Sequence, residues 1–270
     1  MNGIYICPTP IGNMEDITLR ALRVLKECDI IACEDTRHTA CLLNHFDIKK
    51  PLVSYHKFNE NSRAAELVEE ARTKMIAVVS DAGMPGISDP GFAVVKAARE
   101  AGVPVTVLPG ASAAVCAAVL SGLPCDRFIF EGFLPTDTKE RRERISALKQ
   151  EMRSVILYES PHRLEKTLSD LYKALGERNV AVCREISKLH EECVLTDLND
   201  IEQFLQQHPP RGEYVLVLQG ASKALPEGTL EQQLEKMLAS GMDKKEAVKA
   251  VAKANGVSKN EVYMLLVDRS

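Results

Sequence analysis

Short runs of apolar, mostly β-branched residues recur along this chain, and stretches with helical periodicity separate them. Such runs predict strands at Gly3–Cys7, Asp29–Cys33, Met75–Val79, Pro104–Leu108, Phe128–Glu131, Ser154–Tyr158, Val180–Cys183 and Tyr214–Leu218. The runs are almost continuously apolar rather than alternating, which is typical of strands that helices cover on both faces. Strands that alternate with helices in this way favour an α/β fold with a largely parallel sheet.

Capping residues, proline and glycine mark the boundaries of two helices. Asp89-Pro90 and Ser160-Pro161 each place a favourable N-cap before a proline at the first helical position. Glycine follows each of these helical stretches, at Gly102 and Gly176. We therefore predict that one helix starts at Asp89 and the other at Ser160, each shortly after a strand.

The length of 270 residues suits one large domain or two smaller ones. We predict an α/β domain over residues 1–112, a second α/β domain over residues 113–222 and a helical tail over residues 223–270. Small residues, proline and glycine within residues 221–228 predict a linker before the tail. Two short helical patterns in the tail flank a turn, and the second begins with the capping box Ser258-x-x-Glu261. This arrangement resembles a helix-turn-helix, but it fits a plain helical hairpin equally well.

The charge balance excludes a strongly basic protein that coats nucleic acid through bulk charge alone. The chain has 34 Lys and Arg against 38 Asp and Glu, a net charge of −4. It has no Trp, and only 5% of its residues are aromatic, which argues against stacking platforms for single strands. None of the eight cysteines forms a C-x-x-C pair, so we expect no zinc site. With no apolar stretch long enough for a membrane span and no basic leader, we expect a cytoplasmic protein without membrane contact.

Three loops rich in glycine, proline and small residues follow predicted strands of the first half, at residues 8–13, 80–91 and 109–114. In an open α/β sheet, ligands bind beyond the carboxyl ends of the strands, where small residues let backbone amides approach them. The three loops together predict one crevice, although each alone also fits an ordinary turn. The chain contains neither G-x-G-x-x-G nor G-x-x-x-x-G-K-[ST], which argues against a dinucleotide dehydrogenase and a P-loop NTPase.

Charged residues follow other predicted strands. The cluster at residues 34–38 comes directly after one strand, Arg184-Glu185 after another, and Glu159 is followed closely by His162 and Arg163. These clusters predict site residues, although a solvated helix start also explains the first of them. Residues 139–153 form a basic-leaning helix, which fits either a phosphate-contacting face or a salt-bridged helix in solvent.

The order of these motifs resembles the tetrapyrrole methylase superfamily. The motifs that carry the resemblance are Pro8–Asn13, Glu34–Arg37, Ser80–Gly83, Ile87–Gly91 and Pro109–Ala113. One branch of the superfamily methylates the ribose 2′-oxygen of a decoding-centre cytidine in 16S rRNA. Three motifs of this chain resemble those of that branch: Glu131–Pro135, Tyr158–Arg163 and Arg184-Glu185.

The resemblance implies a class III methyltransferase: two α/β domains, S-adenosylmethionine in the cleft between them, and a homodimer. It also implies 16S rRNA within the small ribosomal subunit as the partner. The cofactor-binding residues that it implies are Pro10, Ser80, Asp81, Ala82, Gly83, Met84, Pro85, Pro109, Gly110, Ser112, Ala113, Tyr158, Arg184 and Gly212. Met84 departs from the family pattern, which usually has Thr there, so the expected contact at this position is through the backbone.

Because the sulfonium methyl is already activated, we expect no metal, and the enzyme must align the 2′-oxygen and help remove its proton. Asp35 is the first candidate for the base and Glu159 the second. The residues expected to contact the substrate are Arg37, His38, Arg141, Arg142, Arg163 and Lys188. Two other functions stay open: a same-fold methyltransferase for a small molecule or a protein side chain, and a non-enzymatic DNA-binding regulator built on the tail.

Overall fold

A computed structural model describes residues 1–222 and 228–267 of the chain. The chain forms two compact units, Met1–Ala221 and Ser222–Ser270. All eight predicted strands are present, and all of them lie in the first unit. The first unit also contains two strands that the sequence pattern does not predict, at residues 52–54 and 192–197.

The first sheet is parallel throughout, with the strand order β3-β2-β4-β1-β5. Its strands are β1 (Gly3–Ile6), β2 (Ile30–Cys33), β3 (Leu52–Ser54), β4 (Met75–Val79) and β5 (Val105–Val107). Its helices are α1 (Leu19–Glu27), α2 (Thr36–His45), α3 (Glu60–Glu70) and α4 (Phe92–Glu100). Ile76 and Val78 join one buried apolar cluster while Ala77 and Val79 join another, as the alternation of side chains along a strand requires. Helices therefore cover both faces of this sheet.

The second sheet has the strand order β6-β7-β10-β8-β9. Its strands are β6 (Phe128–Phe133), β7 (Ser154–Glu159), β8 (Asn179–Arg184), β9 (Glu192–Asp197) and β10 (Tyr214–Leu218). The helices of this half are α5 (Ala113–Leu120), α6 (Thr138–Ala147), α7 (Leu164–Leu175) and α8 (Ile201–Gln207). The α/β fold class is thus confirmed, with two separate sheets in the first unit.

The expectation of a largely parallel arrangement is confirmed in the first sheet and wrong in the second. Strand β10 runs antiparallel to both β7 and β8, and β9 runs antiparallel to β8. Because β10 is buried along its whole length, its apolar run carries no information about its direction. The two strands that the pattern misses, β3 and β9, are sheet-edge strands whose residues are mostly half-buried, so neither has a continuous apolar run.

Helix α5 packs against the second sheet. Ala114, Ala117 and Ala118 of α5 lie in one buried cluster with Ile156 of β7 and Val215 of β10. Small side chains let the helix approach the strands closely. The division of the first unit between residues 112 and 113 stays a prediction.

The helix starts predicted at Asp89 and Ser160 are wrong, because the first helix begins two residues later and the second three residues later. Helix α4 begins after Gly91, and α7 begins after Arg163. Hydrogen bonds close the intervening turns, from Gly86 N to Pro90 O at 3.1 Å and from Arg163 N to Ser160 O at 3.1 Å. The Asp89 side chain is therefore not used to cap a helix, and it lies in a loop instead.

The described part of the second unit contains α9 (Leu230–Ala239), α10 (Lys244–Asn255) and α11 (Lys259–Val267). Leu234, Ala247, Val251 and Val262 lie at its buried centre. The two helices predicted in the tail correspond to α10 and α11, whereas α9 is an addition. Most of the predicted linker, residues 223–227, lies outside the described residues. Within the described ranges, no helix is both long enough and apolar enough to span a bilayer.

Candidate active site

The three small-residue loops meet at the carboxyl ends of β1, β4 and β5. Thr9 and Gly83 form an antiparallel bridge, with N–O distances of 3.0 and 3.1 Å, which joins the first loop to the second. The third loop packs onto the first, because a β-carbon on Gly110 would meet the Pro8 side chain at 2.6 Å. The structure thus brings together the loops that the sequence predicts to share a crevice.

Gly83 lies where the second loop approaches the other two. Its φ of 77° lies in the left-handed region that favours glycine. A β-carbon there would be 3.3 Å from Ile11 and 3.7 Å from the carbonyl oxygen of Ala111. A side chain at this position would therefore strain the backbone and crowd both neighbouring loops.

A cavity of about 420 Å³ lies where these loops face the ends of the second sheet. This volume is in the range of small-molecule binding sites. The residues that line it are Ile11, Glu34, Asp81, Ala82, Gly83, Met84, Ile87, Ser88, Asp89, Ser112, Ala113, Phe133, Tyr158, Glu159, Ser160, Pro161, Ile186, Glu213, Tyr214 and Val215. Both sheets therefore contribute to its walls.

Five carboxylates line this cavity, which we call the acidic cavity: Glu34, Asp81, Asp89, Glu159 and Glu213. Among the described residues that line it, there is neither Lys nor Arg. Burial raises the pKa of Glu34, and the charge of Asp81 acts in the same direction. Burial, followed by the charges of Glu34 and Asp81, raises the pKa of Asp89 to about 7. A cavity of this kind favours a ligand that carries positive charge.

Tyr158, near the end of β7, links the second sheet to the start of α5. Its hydroxyl oxygen accepts a hydrogen bond from Ala114 N at 3.2 Å. Phe130 and Phe133 meet its ring edge-on, with centroid distances of 5.0 and 5.6 Å. Burial raises the pKa of the phenol, and the charge of Asp89 acts in the same direction. The hydroxyl therefore keeps its proton and can donate it in a hydrogen bond to a ligand.

A second cavity, of about 400 Å³, adjoins the acidic cavity. The residues common to both are Ile11, Asp81, Ala82 and Glu213. The second cavity is also lined by Pro10 and by two basic residues, His38 and Lys188. It therefore contains basic groups that the acidic cavity lacks. Lys188 Nζ lies 2.9 Å from carboxylate oxygens of both Glu185 and Glu213. The basic and acidic side chains are thus adjacent at the boundary of the two cavities.

The two carboxylates expected to act as the base differ in their surroundings. Asp35 caps α2 by accepting from Arg37 N at 2.8 Å, and it pairs with the Arg37 guanidinium at 2.9 Å. The hydrogen bonds from Arg37 lower the pKa of Asp35 to about 2, and Asp35 lines neither cavity. Glu159 lines the acidic cavity, but Ser160 N and the Thr167 hydroxyl donate to its two oxygens at 2.8 and 2.5 Å. Neither carboxylate is therefore a free acceptor.

The residues expected to bind the cofactor fall into three groups. Those that line the acidic cavity are Asp81, Ala82, Gly83, Met84, Ser112, Ala113 and Tyr158. Pro10 lines only the second cavity. Those that line neither cavity are Ser80, Pro85, Pro109, Gly110, Arg184 and Gly212.

Three residues of the third group have contacts outside the cavities, and the cofactor role of the whole group stays a prediction. The Ser80 hydroxyl donates to Gly83 O at 3.2 Å and so holds the second loop. Arg184 pairs with Glu192 at 3.0 Å, and its buried Nε has no hydrogen-bond partner in the part of the chain that the structure describes. Gly212 has a φ of 74°, and a β-carbon there would lie 2.5 Å from the Glu185 side chain.

Arg141 differs from the expectation that it contacts substrate. Its guanidinium is buried, 2.8 Å from Asp170 and 2.7 Å from the Thr167 hydroxyl. Arg141 shares a helix face with the buried Ile145, four residues on, whereas Arg142 is exposed. We therefore replace the substrate role of Arg141 with a structural one, and Arg142 stays a candidate for phosphate contact.

The remaining predicted substrate residues lie at two places. Arg37 is exposed beside Asp35, and His38 and Lys188 line the second cavity. Arg163 donates to Leu134 O, and its Nε lies 3.4 Å from Glu159.

The sequence places three carboxylates of the acidic cavity near the predicted site without giving them a role in it. Glu34 belongs to the charged cluster at residues 34–38, Glu213 directly precedes a predicted strand, and Asp89 lies in the loop at residues 80–91 but carries the signal of a helix cap. Ile186 and Val215 carry no polar signal, so only the fold reveals their position. Among the residues that the structure describes, no group of His, Cys, Asp and Glu is arranged to hold a metal ion.

Comparison with known proteins extends these observations. The sequence profile of the Tetrapyrrole (Corrin/Porphyrin) Methylases matches residues 3–202. The chain is 45% identical to "Ribosomal RNA small subunit methyltransferase I" of Halalkalibacterium halodurans, over 96% of this chain and 93% of that protein. It is 42% identical to the protein of that name from Synechocystis sp., over 99% of this chain and 98% of that protein. A solved structure with a similar fold is a uroporphyrin-III C-methyl transferase from Thermus thermophilus in complex with S-adenosyl homocysteine. The TM-score is 0.56 and the sequence identity 20%, over 80% of this chain and 97% of that chain.

Proposed function

We propose a function for this chain on the basis that it belongs to the tetrapyrrole methylase family and, within it, to the ribosomal RNA small subunit methyltransferases I. In this proposal, the chain transfers the methyl group of S-adenosylmethionine to a cytidine 2′-oxygen in the decoding centre of 16S rRNA. The observation that carries this proposal is the acidic cavity, which three small-residue loops and Tyr158 enclose. The similarity to named rRNA methyltransferases over nearly the whole chain supports rRNA as the substrate.

The acidic cavity fits S-adenosylmethionine in size and charge. Its volume of about 420 Å³ suits a ligand of this size. Its five carboxylates favour the sulfonium and ammonium groups, and the backbone at Ser112 and Ala113, where α5 begins, suits the cofactor carboxylate. When bound, the cofactor supplies a methyl group that is already activated by the positive sulfur.

The residues of the chain then have to orient the reactants and exclude water. Tyr158 is held by two aromatic rings and by Ala114 N, so its hydroxyl has a fixed direction toward a ligand. Met84 contributes an apolar wall where the family usually has a hydroxyl, so contacts at this position come from the backbone. Alignment of a nucleophile with a methyl carbon contributes up to about 7–11 kcal/mol in favourable cases.

Cations outside the acidic cavity support the binding of RNA. Arg37 and Arg142 are exposed, and His38 and Lys188 line the second cavity. The helices α10 and α11 of the second unit carry five lysines, Lys244, Lys245, Lys249, Lys253 and Lys259. Cations of this kind bind phosphates with the release of counterions. We propose that the RNA is bound within the small ribosomal subunit and that the protein acts in the cytoplasm.

A homodimer is part of the proposal, and the outer face of α5 supports it. Val115 and Val119 are 52% and 71% exposed, although the opposite face of the same helix is buried against the second sheet. Exposed apolar patches of this kind mark protein interfaces. We propose that a second copy of the chain covers this face.

The test is methyl transfer from labelled S-adenosylmethionine to small subunits from cells that lack this protein. We expect one labelled position, and digestion with mass spectrometry should identify 2′-O-methylcytidine. A base-methylated nucleoside would contradict the 2′-O assignment, and label found only in small molecules or proteins would favour a same-fold enzyme of another substrate class. A shift assay with duplex DNA across salt concentrations tests the DNA-binding alternative.

A further inference from the structure

The carboxylates around the acidic cavity differ in how many of their oxygens are engaged. Glu159 accepts hydrogen bonds on both oxygens, and an oxygen of Asp81 accepts from Asp35 N at 3.1 Å. The Asp89 carboxylate, like that of Glu34, accepts no hydrogen bond and forms no ion pair with any residue of the described ranges. Asp89 is therefore a carboxylate of this cavity whose lone pairs stay open to a ligand.

We propose that Asp89 is the proton acceptor for the 2′-hydroxyl of the substrate ribose, a role that rests on the function proposed above. In the reaction, the 2′-oxygen forms a bond to the methyl carbon while the carbon–sulfur bond breaks, and the sulfonium becomes a neutral thioether. The proton of the hydroxyl moves to a carboxylate oxygen of Asp89. After product release, Asp89 returns this proton to solvent.

The loop that carries Asp89 is held by its own backbone. Gly86 N donates to Pro90 O at 3.1 Å, and Ile87 N donates to Met84 O at 3.2 Å. Ser88 has a φ of 65°, which is unusual for a residue with a side chain and is a form of strain that often occurs at functional sites. The tight turn places Asp89 in the wall of the cavity instead of at a helix start.

The surroundings of Asp89 suit a base that works near neutral pH. Burial and the charges of Glu34 and Asp81 raise its pKa to about 7, close to the pH at which general bases are most effective. The titratable groups that face the cavity with Asp89 are Glu34 after β2, Asp81 after β4, Tyr158 and Glu159 at the end of β7, and Glu213 before β10. Because these neighbours are carboxylates and a phenol, none of them stabilises the ionised form as Arg37 does for Asp35.

Two apolar residues that line the cavity are exposed, and one of them, Ile87, belongs to the loop of Asp89. Ile87 is 45% exposed and Phe133 is 51% exposed, and both line the cavity. Side chains of this kind can pack against an unstacked base. A nucleotide held there would have its ribose next to the Asp89 loop.

The test compares Asp89→Asn with Asp126→Asn, which makes the same chemical change at an exposed aspartate just before β6. Single-turnover methyl transfer to small subunits is measured at saturating S-adenosylmethionine, so that weaker binding does not affect the rate. We expect Asp89→Asn to be about 10²–10⁴-fold slower than wild type, the usual contribution of a positioned base. The wild-type rate should rise with pH toward a plateau, this dependence should be lost in Asp89→Asn, and Asp126→Asn should match wild type.

A second readout does not depend on activity. In wild-type protein labelled with ¹³C at the aspartate carboxyls, one resonance should titrate near pH 7, and it should be absent from Asp89→Asn. Added S-adenosylmethionine should move this titration to lower pH, because its positive charge favours the carboxylate. The neutral S-adenosylhomocysteine should move it less.

The outcomes separate this proposal from the one on which it rests. If wild type methylates 2′-oxygens and Asp89→Asn does so at full rate with the same pH profile, Asp89 is not the base, and the proposed function stands. If wild type methylates no 2′-oxygen, the proposed function fails and the base role fails with it. If Asp89→Asn does not fold, the titration of the wild-type protein decides. The assignment is overturned if every aspartate resonance titrates below about pH 5.5.

Discussion

The replacement of Arg141 by methionine tests whether this buried arginine is structural. Its guanidinium donates to Asp170 at 2.8 Å and to the Thr167 hydroxyl at 2.7 Å. The same hydroxyl donates to Glu159 in the wall of the acidic cavity. Two successive contacts, Arg141–Thr167 and Thr167–Glu159, therefore connect α6 through α7 to the candidate active site.

The expected cost follows from what the substitution leaves behind. Loss of one partner from a buried ion pair costs about 3–5 kcal/mol, because the other charge stays buried and unpaired. The Asp170 side chain is 30% exposed and can be partly rehydrated, so we expect a value near the lower end, about 3 kcal/mol. For a unit of this size, about 2–4 °C per kcal/mol corresponds to a Tm lower by roughly 6–12 °C.

Arg142→Met is the matched control, because it makes the same change one residue on, at an exposed position. Its stability should stay within about 0.5 kcal/mol of wild type. If Arg142 contacts a phosphate, this variant should bind the small subunit more weakly, with a shallower salt dependence. Urea denaturation and binding across salt measure both effects. An Arg141→Met variant with wild-type stability and weakened RNA binding would refute the structural role.

Four further predictions concern other parts of the molecule. Gly83→Val should weaken S-adenosylmethionine binding at least about tenfold in calorimetry, because a side chain at a φ of 77° distorts the loops, and wild-type affinity would contradict the site. Val119→Glu should halve the mass measured by light scattering, because a charge on the exposed face of α5 opposes the contact, whereas an unchanged mass would remove this face as the interface. Lys245→Glu combined with Lys249→Glu should weaken subunit binding and reduce its salt slope, and unchanged binding would exclude α10 from the RNA contact. Folding raises the pKa of Asp89, so wild-type stability should fall as pH rises from about 4 to 7. Asp89→Asn should therefore be more stable than wild type above pH 7, by about 1–2 kcal/mol after allowance for partial hydration of the carboxyl. Equal pH dependence of the two proteins in urea titrations would contradict the raised pKa.

Local patterns in the sequence were sufficient for eight of the ten strands that the structure describes and for the loops that form the candidate site. An apolar run reports burial, and burial is what a central strand such as β4 or β10 requires. The loops at Gly83 and Gly110 are predictable for a related reason, since small residues after a strand allow close backbone approach. The order of these motifs was also sufficient for the family.

Only the tertiary structure decided three other features: the direction of β10, the burial of Arg141 and the open carboxylate of Asp89. Apolar character is the same for parallel and antiparallel neighbours, so the pattern of β10 contains no direction. The charge on Arg141 predicts exposure, but Asp170 and Thr167, nearly thirty residues away in sequence, provide the partners that let it be buried. Asp89 has the local signal of a helix cap, but its chemistry depends instead on Glu34, which lies at the end of another strand, and on Asp81 at the start of its own loop. The role of a polar side chain depends on the groups that surround it, and in this protein the fold brings those groups from distant parts of the chain.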